Sequence, residues 1–278
     1  MFNVFCLYII NGDLMRLFDV HNDCMTQVKY INDYLGNSID DFIKVIVMVF
    51  FLSEKKLPIK EIKSMINNIE NRGTPFIAIE DISQIKYEEL DELSELKPLY
   101  CSLTWNDENK LAGGCYSKGK LTDLGKKYIN KIETFSYVDT AHLNKKSFYQ
   151  LAKITKRPLL NSHTNLKMCK KHKRNINNRQ IKKIIKSHGL VCLTGVKEFL
   201  KNEGTLKDYI DSIYEFYKKY GSDNLGLATD FIGSSTFPLA YANYHDFKKI
   251  YVELLKKGLT EVELDKIFYL NAWRFFNK

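Results

Sequence analysis

Histidine and carboxylate side chains recur directly after short apolar runs of the sequence. His21 and Asp23 follow the first run and are two residues apart, which places them on one face of an extended chain. Glu80, His142 and His163 each follow a later run. Imidazole nitrogens and carboxylate oxygens are the ligands that zinc and similar cations prefer. If the runs are neighbouring parallel strands, these side chains meet at one end of the sheet and can form a metal site.

The five residues suit two metal ions that share one carboxylate. His21 and Asp23 would bind one ion, His142 and His163 the other, and Glu80 would bridge them. A water between two such ions loses a proton readily and becomes a nucleophile. Each residue also has an ordinary alternative, since a single histidine after a strand is more often a hydrogen-bonded structural residue. The prediction therefore depends on all five lying at strand ends of one fold.

Eight short apolar runs alternate with longer amphipathic stretches, which is typical of an α/β fold. The runs lack polar alternation, as expected of strands buried on both faces. Eight strand–helix units close a (β/α)8 TIM barrel, whose active-site face is formed by the C-terminal strand ends. An open doubly wound sheet is the alternative, but no G-x-G-x-x-G turn follows a strand. The predicted strands are Leu17–Val20, Val45–Leu52, Phe76–Ile79, Leu99–Leu103, Phe135–Val138, Pro158–Leu160, Leu190–Leu193 and Leu225–Ala228.

Two helices have clear boundary signals. Apolar residues repeat at helical spacing from Leu206 to Tyr220, with Thr205 as the predicted N-cap and Gly221 as the stop. Thr260 and Glu263 predict a capping box for a second helix.

Composition indicates an ordinary globular protein with one domain. The 278 residues are 45% hydrophobic and carry a formal net charge of +9. The densest basic run, residues 167–174, has no interleaved aromatic residues, so we predict no nucleic-acid partner and keep nucleic-acid binding as a minor alternative. We predict a single domain over residues 17–278. Residues 1–16 would be an extension, with Met15 as an alternative start of the chain.

The cysteine pattern and the hydropathy of the chain indicate where in the cell the protein is found. The six cysteines form no C-x-x-C pair and several lie in apolar runs, which favours free thiols in a reducing compartment. The apolar N-terminal stretch, residues 1–10, is too short to span a bilayer and has no basic leading segment. We therefore predict a cytoplasmic protein without a membrane partner.

The order of these motifs resembles the membrane dipeptidases, peptidase family M19. His142 and His163 are 21 residues apart and His163 and Arg174 are 11 apart, as in the family pattern. Further matches are a Leu-Thr-Asp-Leu-Gly stretch and a C-terminal Asn-x-x-Arg, so the resemblance covers about residues 17 to 275. The motifs that carry it are Asp19–Asp23, Ile79–Glu80, Val138–His142, Asn161–His163, Arg174–Asn175, Leu121–Gly125 and Asn271–Arg274.

The resemblance implies a zinc-dependent dipeptidase that hydrolyses small dipeptides with a hydroxide held between two zinc ions, bridged by Glu80. It implies that Arg174 binds the terminal carboxylate of the substrate, as a guanidinium does well. Without the resemblance, Arg174 would be interpreted as a surface residue of the basic run. Asp230 would lie near the water and handle protons or the substrate amino group; its alternative is a helix cap. A small dipeptide-like substrate is the expected partner, and a homodimer is compatible with the family.

Three positions depart from the family pattern. Trp105 replaces a histidine that steadies the oxygen of the attacked carbonyl, and both Trp105 and Asn106 are expected to contact substrate. Asp81 replaces a glycine, which would put a side chain near the metals, and Ile232 replaces a second aspartate after Asp230. The changes at Trp105 and Asp81 motivate two alternatives to the dipeptidase. One is a metallohydrolase of the same fold that acts on another small amide or lactone, and the other is a metal-binding barrel without catalytic activity.

Overall fold

Eight parallel strands pair in chain order and close into a barrel, with β8 hydrogen-bonded to β1. The computed structural model describes residues 15–27, 31–32, 41–53, 56–69, 75–233 and 239–277. This confirms the predicted (β/α)8 barrel and excludes the open sheet. The strands are β1 Leu17–Asn22, β2 Ile43–Phe51, β3 Ile77–Glu80, β4 Tyr100–Ser102, β5 Tyr137–Asp139, β6 Leu160–Thr164, β7 Leu190–Leu193 and β8 Leu225–Leu227.

Four strands end later than predicted, β1, β3, β5 and β6, and the extensions of β1 and β6 each contain a site histidine. β1 continues through His21 and β6 through His163, whereas the predicted strands ended before each of them. The prediction stopped where the apolar run stopped, but backbone pairing does not require apolar side chains. Asn22 still pairs with Met48 of β2. The two histidines are therefore held within strands, on a more rigid support than a loop.

Helices connect the strands on the outside of the barrel. A π-helical segment, Lys266–Leu270, lies between the last two helices, and short 3-10 turns follow β3 and β7. The helices are α1 Cys24–Gln27, α2 Ile59–Asn67, α3 Leu90–Ser94, α4 Asp123–Ile132, α5 Lys145–Ile154, α6 Asn178–Lys186, α7 Leu206–Tyr220, α8 His245–Lys256, α9 Glu261–Asp265 and α10 Asn271–Phe276.

Both predicted boundaries of α7 and the predicted start of α9 are confirmed. The Thr205 hydroxyl accepts the backbone N–H of Asp208, whose carboxylate accepts the N–H of Thr205 in return. Gly221 ends α7 at a φ of 78°, a left-handed conformation that glycine adopts without strain. Thr260 and Glu263 form the same reciprocal cap at α9.

The strands bury both faces, which explains the absence of polar alternation in their sequences. Along β2, Val45, Val47 and Val49 belong to one apolar cluster, and the residues between them pack into a second. The first cluster fills the barrel and includes Tyr100 together with Phe275 of α10. The second packs the strands against the helices. Tyr100 is therefore part of the inner core, and its hydroxyl reaches the site described below.

The predicted extension, residues 1–16, lies mostly outside the described residues, which begin at Met15. Met15 is buried, and Arg16 forms an ion pair of 2.7 Å with Asp265. The extension and the alternative start stay predictions. The cysteines within the described ranges are all free thiols. Among the helices that the structure describes, none combines the length and apolarity needed to cross a membrane.

Candidate active site

One cavity opens at the C-terminal ends of the strands. Both polar and apolar side chains line it, and most of the sequence-predicted site residues are among them. The lining residues are Asp23, Phe51, Glu80, Trp105, Asn106, Tyr116, His142, His163, Arg174, Val196, Phe199, Asp230, Gly233 and Leu239.

Glu80 lies at the centre of the predicted ligands. Its Oε1 atom is 2.8 Å from Nε2 of His142 and 3.7 Å from Nε2 of His163. Its other oxygen, Oε2, is 3.7 Å from Nε2 of His21, which in turn lies 3.4 Å from Oδ2 of Asp23. The structure thus brings all five predicted ligands together. The two oxygens of Glu80 face the two groups that the sequence had assigned to separate ions.

Three of these ligand atoms are buried without a hydrogen-bond partner in the described part of the chain. They are Nε2 of His21, Oδ1 of Asp23 and Oε1 of Glu80. Buried polar atoms are nearly always satisfied, so a convergent set of unsatisfied ones needs an explanation. A cation would satisfy all three, and the mixed imidazole and carboxylate donors suit zinc. The residues present therefore fit the metal that the family implies.

Negative charge accumulates on one side of the site. Burial by itself lowers the pKa of His21, but Asp23, Glu80 and Asp230 outweigh it and raise this pKa to about 10. Burial raises the pKa of Glu80 well above its usual range, although the His21 charge opposes the shift. The same clustered carboxylates that hold a proton on His21 would attract a divalent cation, which must displace that proton to bind.

His142 and His163 are held in the neutral form that can bind a metal. Burial lowers the pKa of both rings, and the positive charges of Arg174 and His21 lower it further. Nε2 of His142 lies 2.8 Å from Nε2 of His163. Both side chains therefore direct their Nε2 atoms at the same region beside Glu80.

Arg174 is buried at the cavity wall, which excludes its interpretation as a surface residue. Only 6% of it is exposed, and one guanidinium nitrogen donates to the backbone carbonyl of His163 at 3.2 Å. The guanidinium also lies 5.5 Å from the ring centre of Phe199. The other N–H groups of its guanidinium lie near His163, a candidate metal ligand, and can bind an anionic group in the cavity.

Asp230 follows β8 and faces the His21 side of the site. Its Oδ1 atom is 3.9 Å from Nε2 of His21, and its backbone has a left-handed φ of 55°. Burial raises the pKa of Asp230 to about 6, with help from Asp23 and against the charges of His21 and Arg174. A carboxyl group with this pKa can both accept and release a proton near neutral pH.

Gly233 packs directly against two carboxylates of the site. A Cβ atom at this position would lie 2.4 Å from Oδ2 of Asp23 and 2.7 Å from Oδ1 of Asp230. The absence of a side chain therefore allows these carboxylates to approach the loop. The neighbouring Ile232, which replaces the second family aspartate, is 37% exposed at a φ of 68°.

Trp105 forms an apolar wall where the family histidine would be. Its ring packs edge-on against Phe51 at 5.2 Å and lies 6.2 Å from the ring of His142. Within the described residues its indole N–H makes no hydrogen bond, so this donor is available to a ligand. Asn106 is the other residue predicted to contact substrate. In the structure its side-chain oxygen lies 3.0 Å from Nδ1 of His142.

Asp81 does not extend toward the predicted ligands, contrary to the expectation from sequence. It adopts a left-handed φ of 61°, which explains why a glycine suits this position in the family. Its carboxylate accepts hydrogen bonds from Ser53 at 2.5 Å and Asn109 at 2.9 Å. This turn directs the side chain to the loop after β4, so Asp81 braces that loop next to Glu80.

Sequence reasoning missed the aromatic part of the cavity. Tyr116 and Phe199 line it, and neither lies in a motif or shows a spacing that would have identified it. His172 adds to this part of the site, since it is half-buried with its ring 4.9 Å from that of Phe199. Such contacts between loops of different βα units are decided only by the closure of the barrel.

Comparison with known proteins identifies the family. Residues 16–278 match the profile of the membrane dipeptidases, peptidase family M19, so the chain belongs to that family. An uncharacterized dipeptidase of Schizosaccharomyces pombe is 23% identical over 192 residues, which are 64% of this chain and 46% of that protein. The chain thus matches about half the length of this relative.

Two solved structures share the fold over nearly their full length. A dipeptidase of family M19 superposes with a TM-score of 0.83 at 17% identity, covering 95% of this chain and 98% of its own. A metallopeptidase from Rhodobacter sphaeroides, liganded with a phosphinate mimic of the dipeptide L-Ala-D-Ala, gives a TM-score of 0.80 at 16% identity, with 94% and 98% covered. At these identities the likeness shows the barrel fold.

Proposed function

We propose that this chain is a metal-dependent dipeptidase that binds two zinc ions, with its activity contained in residues 17–278. The observation that carries the proposal is the position of Glu80, one oxygen facing His21 and the other facing His142 and His163. A carboxylate in this position can bridge two ions. Membership of the dipeptidase family supports the same assignment.

Zinc would be held by His21 and Asp23 on one side, by His142 and His163 on the other, and by Glu80 between them. When bound, such a pair of ions supplies Lewis-acid activation of a water molecule, which would serve as the hydroxide nucleophile, and of the carbonyl under attack. The cavity walls limit access of bulk water to this centre, since each of these five residues is no more than 5% exposed.

The protein's own residues would bind and orient the dipeptide. Arg174 would grip the terminal carboxylate, since it is the one arginine or lysine among the described residues lining the cavity. Asp230 would accept the proton lost by the attacking water and return it to the leaving amine. Its pKa of about 6, raised by burial, suits both steps.

Trp105 would lie beside the carbonyl oxygen in place of the family histidine. Its free indole N–H can donate one hydrogen bond, while its ring adds apolar surface continuous with Phe51. This apolar wall supports a second candidate function, a metallohydrolase of the same fold that acts on another small amide or on a lactone. The ligand of the Rhodobacter sphaeroides structure also makes dipeptides with a D residue worth testing here.

Elemental analysis and a hydrolysis panel on one purified sample test the proposal. We expect two zinc ions per chain and turnover of L,L- or L,D-dipeptides that disappears when a chelator removes the metal. Hydrolysis of amides or lactones but no dipeptide would favour the second candidate. Absence of bound metal after incubation with zinc would refute both.

A further inference from the structure

The Tyr100 hydroxyl connects the barrel core to His21. It lies 2.9 Å from the backbone carbonyl of Val20 and 2.8 Å from Nδ1 of His21. A carbonyl oxygen can only accept, so the single hydroxyl proton goes to Val20. The hydroxyl then offers a lone pair to the ring, and this contact is a hydrogen bond only if Nδ1 of His21 carries a proton. Nε2, which faces Glu80, is then the nitrogen that binds the metal once the cation displaces its proton.

Ser162 makes the equivalent connection to His163 through a buried carboxylate. The Ser162 hydroxyl lies 2.5 Å from Oδ2 of Asp139 and 2.8 Å from Nδ1 of His163. Asp139 also accepts the backbone N–H groups of Ser162 and Ala141, at 2.9 and 3.1 Å, which fixes its orientation. The serine therefore donates to Asp139 and accepts from Nδ1 of His163. Because burial keeps this ring neutral, its Nε2 is bare.

The two connections have a common consequence at the centre of the site. Asn106 places its side-chain oxygen against Nδ1 of His142, so all three rings are protonated at the atom facing away from Glu80. Bare Nε2 atoms of His142 and His163 then lie 2.8 Å apart, beside Oε1 of Glu80. Such a convergence of acceptors is unfavourable until a cation lies among them.

We propose that Tyr100 and Ser162 are positioning residues for the metal centre, Tyr100 acting on the ion held by His21 and Ser162 on the ion held by His163. Each fixes the tautomer and ring orientation of one histidine through a hydrogen bond to Nδ1. This inference depends on the proposed two-metal function. Removal of such a partner typically weakens metal binding about 10- to 100-fold.

Zinc affinity measured by competition with a chromogenic chelator tests this assignment without an activity assay. We expect Tyr100→Phe and Ser162→Ala each to lower the affinity for one of the two zinc ions about 10- to 100-fold. The affinity for the other ion should stay at the wild-type value. The double variant should have lower affinity for both ions. Ser162→Thr keeps the hydroxyl and should restore wild-type affinity.

Matched control variants separate positioning from general loss of structure. Tyr209→Phe removes another buried tyrosine hydroxyl, which donates to the Leu193 carbonyl at 2.9 Å. Ser136→Ala removes a buried serine hydroxyl bonded to the Pro98 carbonyl at 2.7 Å. Both controls should bind two zinc ions with wild-type affinity.

The outcomes distinguish this inference from the proposed function. Wild-type protein that binds no zinc would overturn the two-metal function and this assignment with it. Wild-type protein that binds two ions, together with test variants that match their controls, would overturn the positioning role alone. An equal loss of affinity for both ions in each single variant would also overturn the positioning role.

Discussion

Glu80→Gln should abolish most of the stabilisation that zinc gives to the folded protein. Glu80 is 3% exposed, and burial raises its pKa well above the usual range, so a neutral amide of the same size should cost the metal-free protein about 1 kcal/mol or less. The amide cannot bridge two cations. Each zinc ion, at about 100 to 1,000 times its dissociation constant, stabilises a folded protein by about 2.7–4.1 kcal/mol, and most of this gain should be lost.

Thermal unfolding with and without zinc measures this difference. For a chain of this length the gain corresponds to a rise in Tm of about 5–7 °C for each bound ion in wild type, against about 1–2 °C in total in Glu80→Gln. The matched control is Glu133→Gln, a buried carboxylate outside the cavity that accepts the backbone N–H of Lys156. It should lower Tm in both conditions and keep the full response to zinc. A zinc response in Glu80→Gln equal to wild type would refute the bridging role.

Further substitutions test other parts of the site and the fold. Arg174→Met should raise KM for dipeptides about 100-fold with kcat little changed, in steady-state kinetics, because it removes charge-assisted hydrogen bonds to the substrate; an unchanged KM would contradict this. Trp105→His should raise kcat on dipeptides up to about 100-fold by restoring a donor for the carbonyl oxygen, whereas a loss of activity would show that the indole is required. Gly233→Ala should weaken one zinc ion about 10-fold or more in chelator competition, because its Cβ would lie 2.4 Å from a carboxylate oxygen of the site. Hydrogen bonds at the cap of α7 lower the pKa of Asp208 despite its burial, so this carboxylate stabilises the fold above its unfolded pKa and the contribution is lost as pH falls. Denaturant unfolding should therefore show Asp208→Asn about 1 kcal/mol less stable than wild type at neutral pH and the difference shrinking below about pH 4, whereas a constant difference would contradict the role.

Helix caps and apolar runs predicted the helices and strands, because each of these signals depends on only a few neighbouring residues. The cap formed by Thr205 requires only its own helix, and it lies where the sequence placed it. The C-terminal ends of the strands were predicted less well, since β1 and β6 continue through polar residues that pair by backbone alone. Asp81 shows a second limit of prediction from sequence. Its backbone conformation turns the carboxylate away from the site, and no spacing rule reports that rotation.

The sequence by itself determined the barrel and the residue types that collect at one end of it, because apolar runs and their order encode which strands pair. It also determined the ligand candidates His21, Asp23, Glu80, His142 and His163, since residues at the C-terminal ends of parallel strands lie at one end of the barrel. Only the tertiary structure decided which oxygen of Glu80 faces which histidine, and that Arg174 is buried rather than exposed. These facts depend on contacts between strands and loops far apart in the chain, and such distances exist only once the barrel has closed.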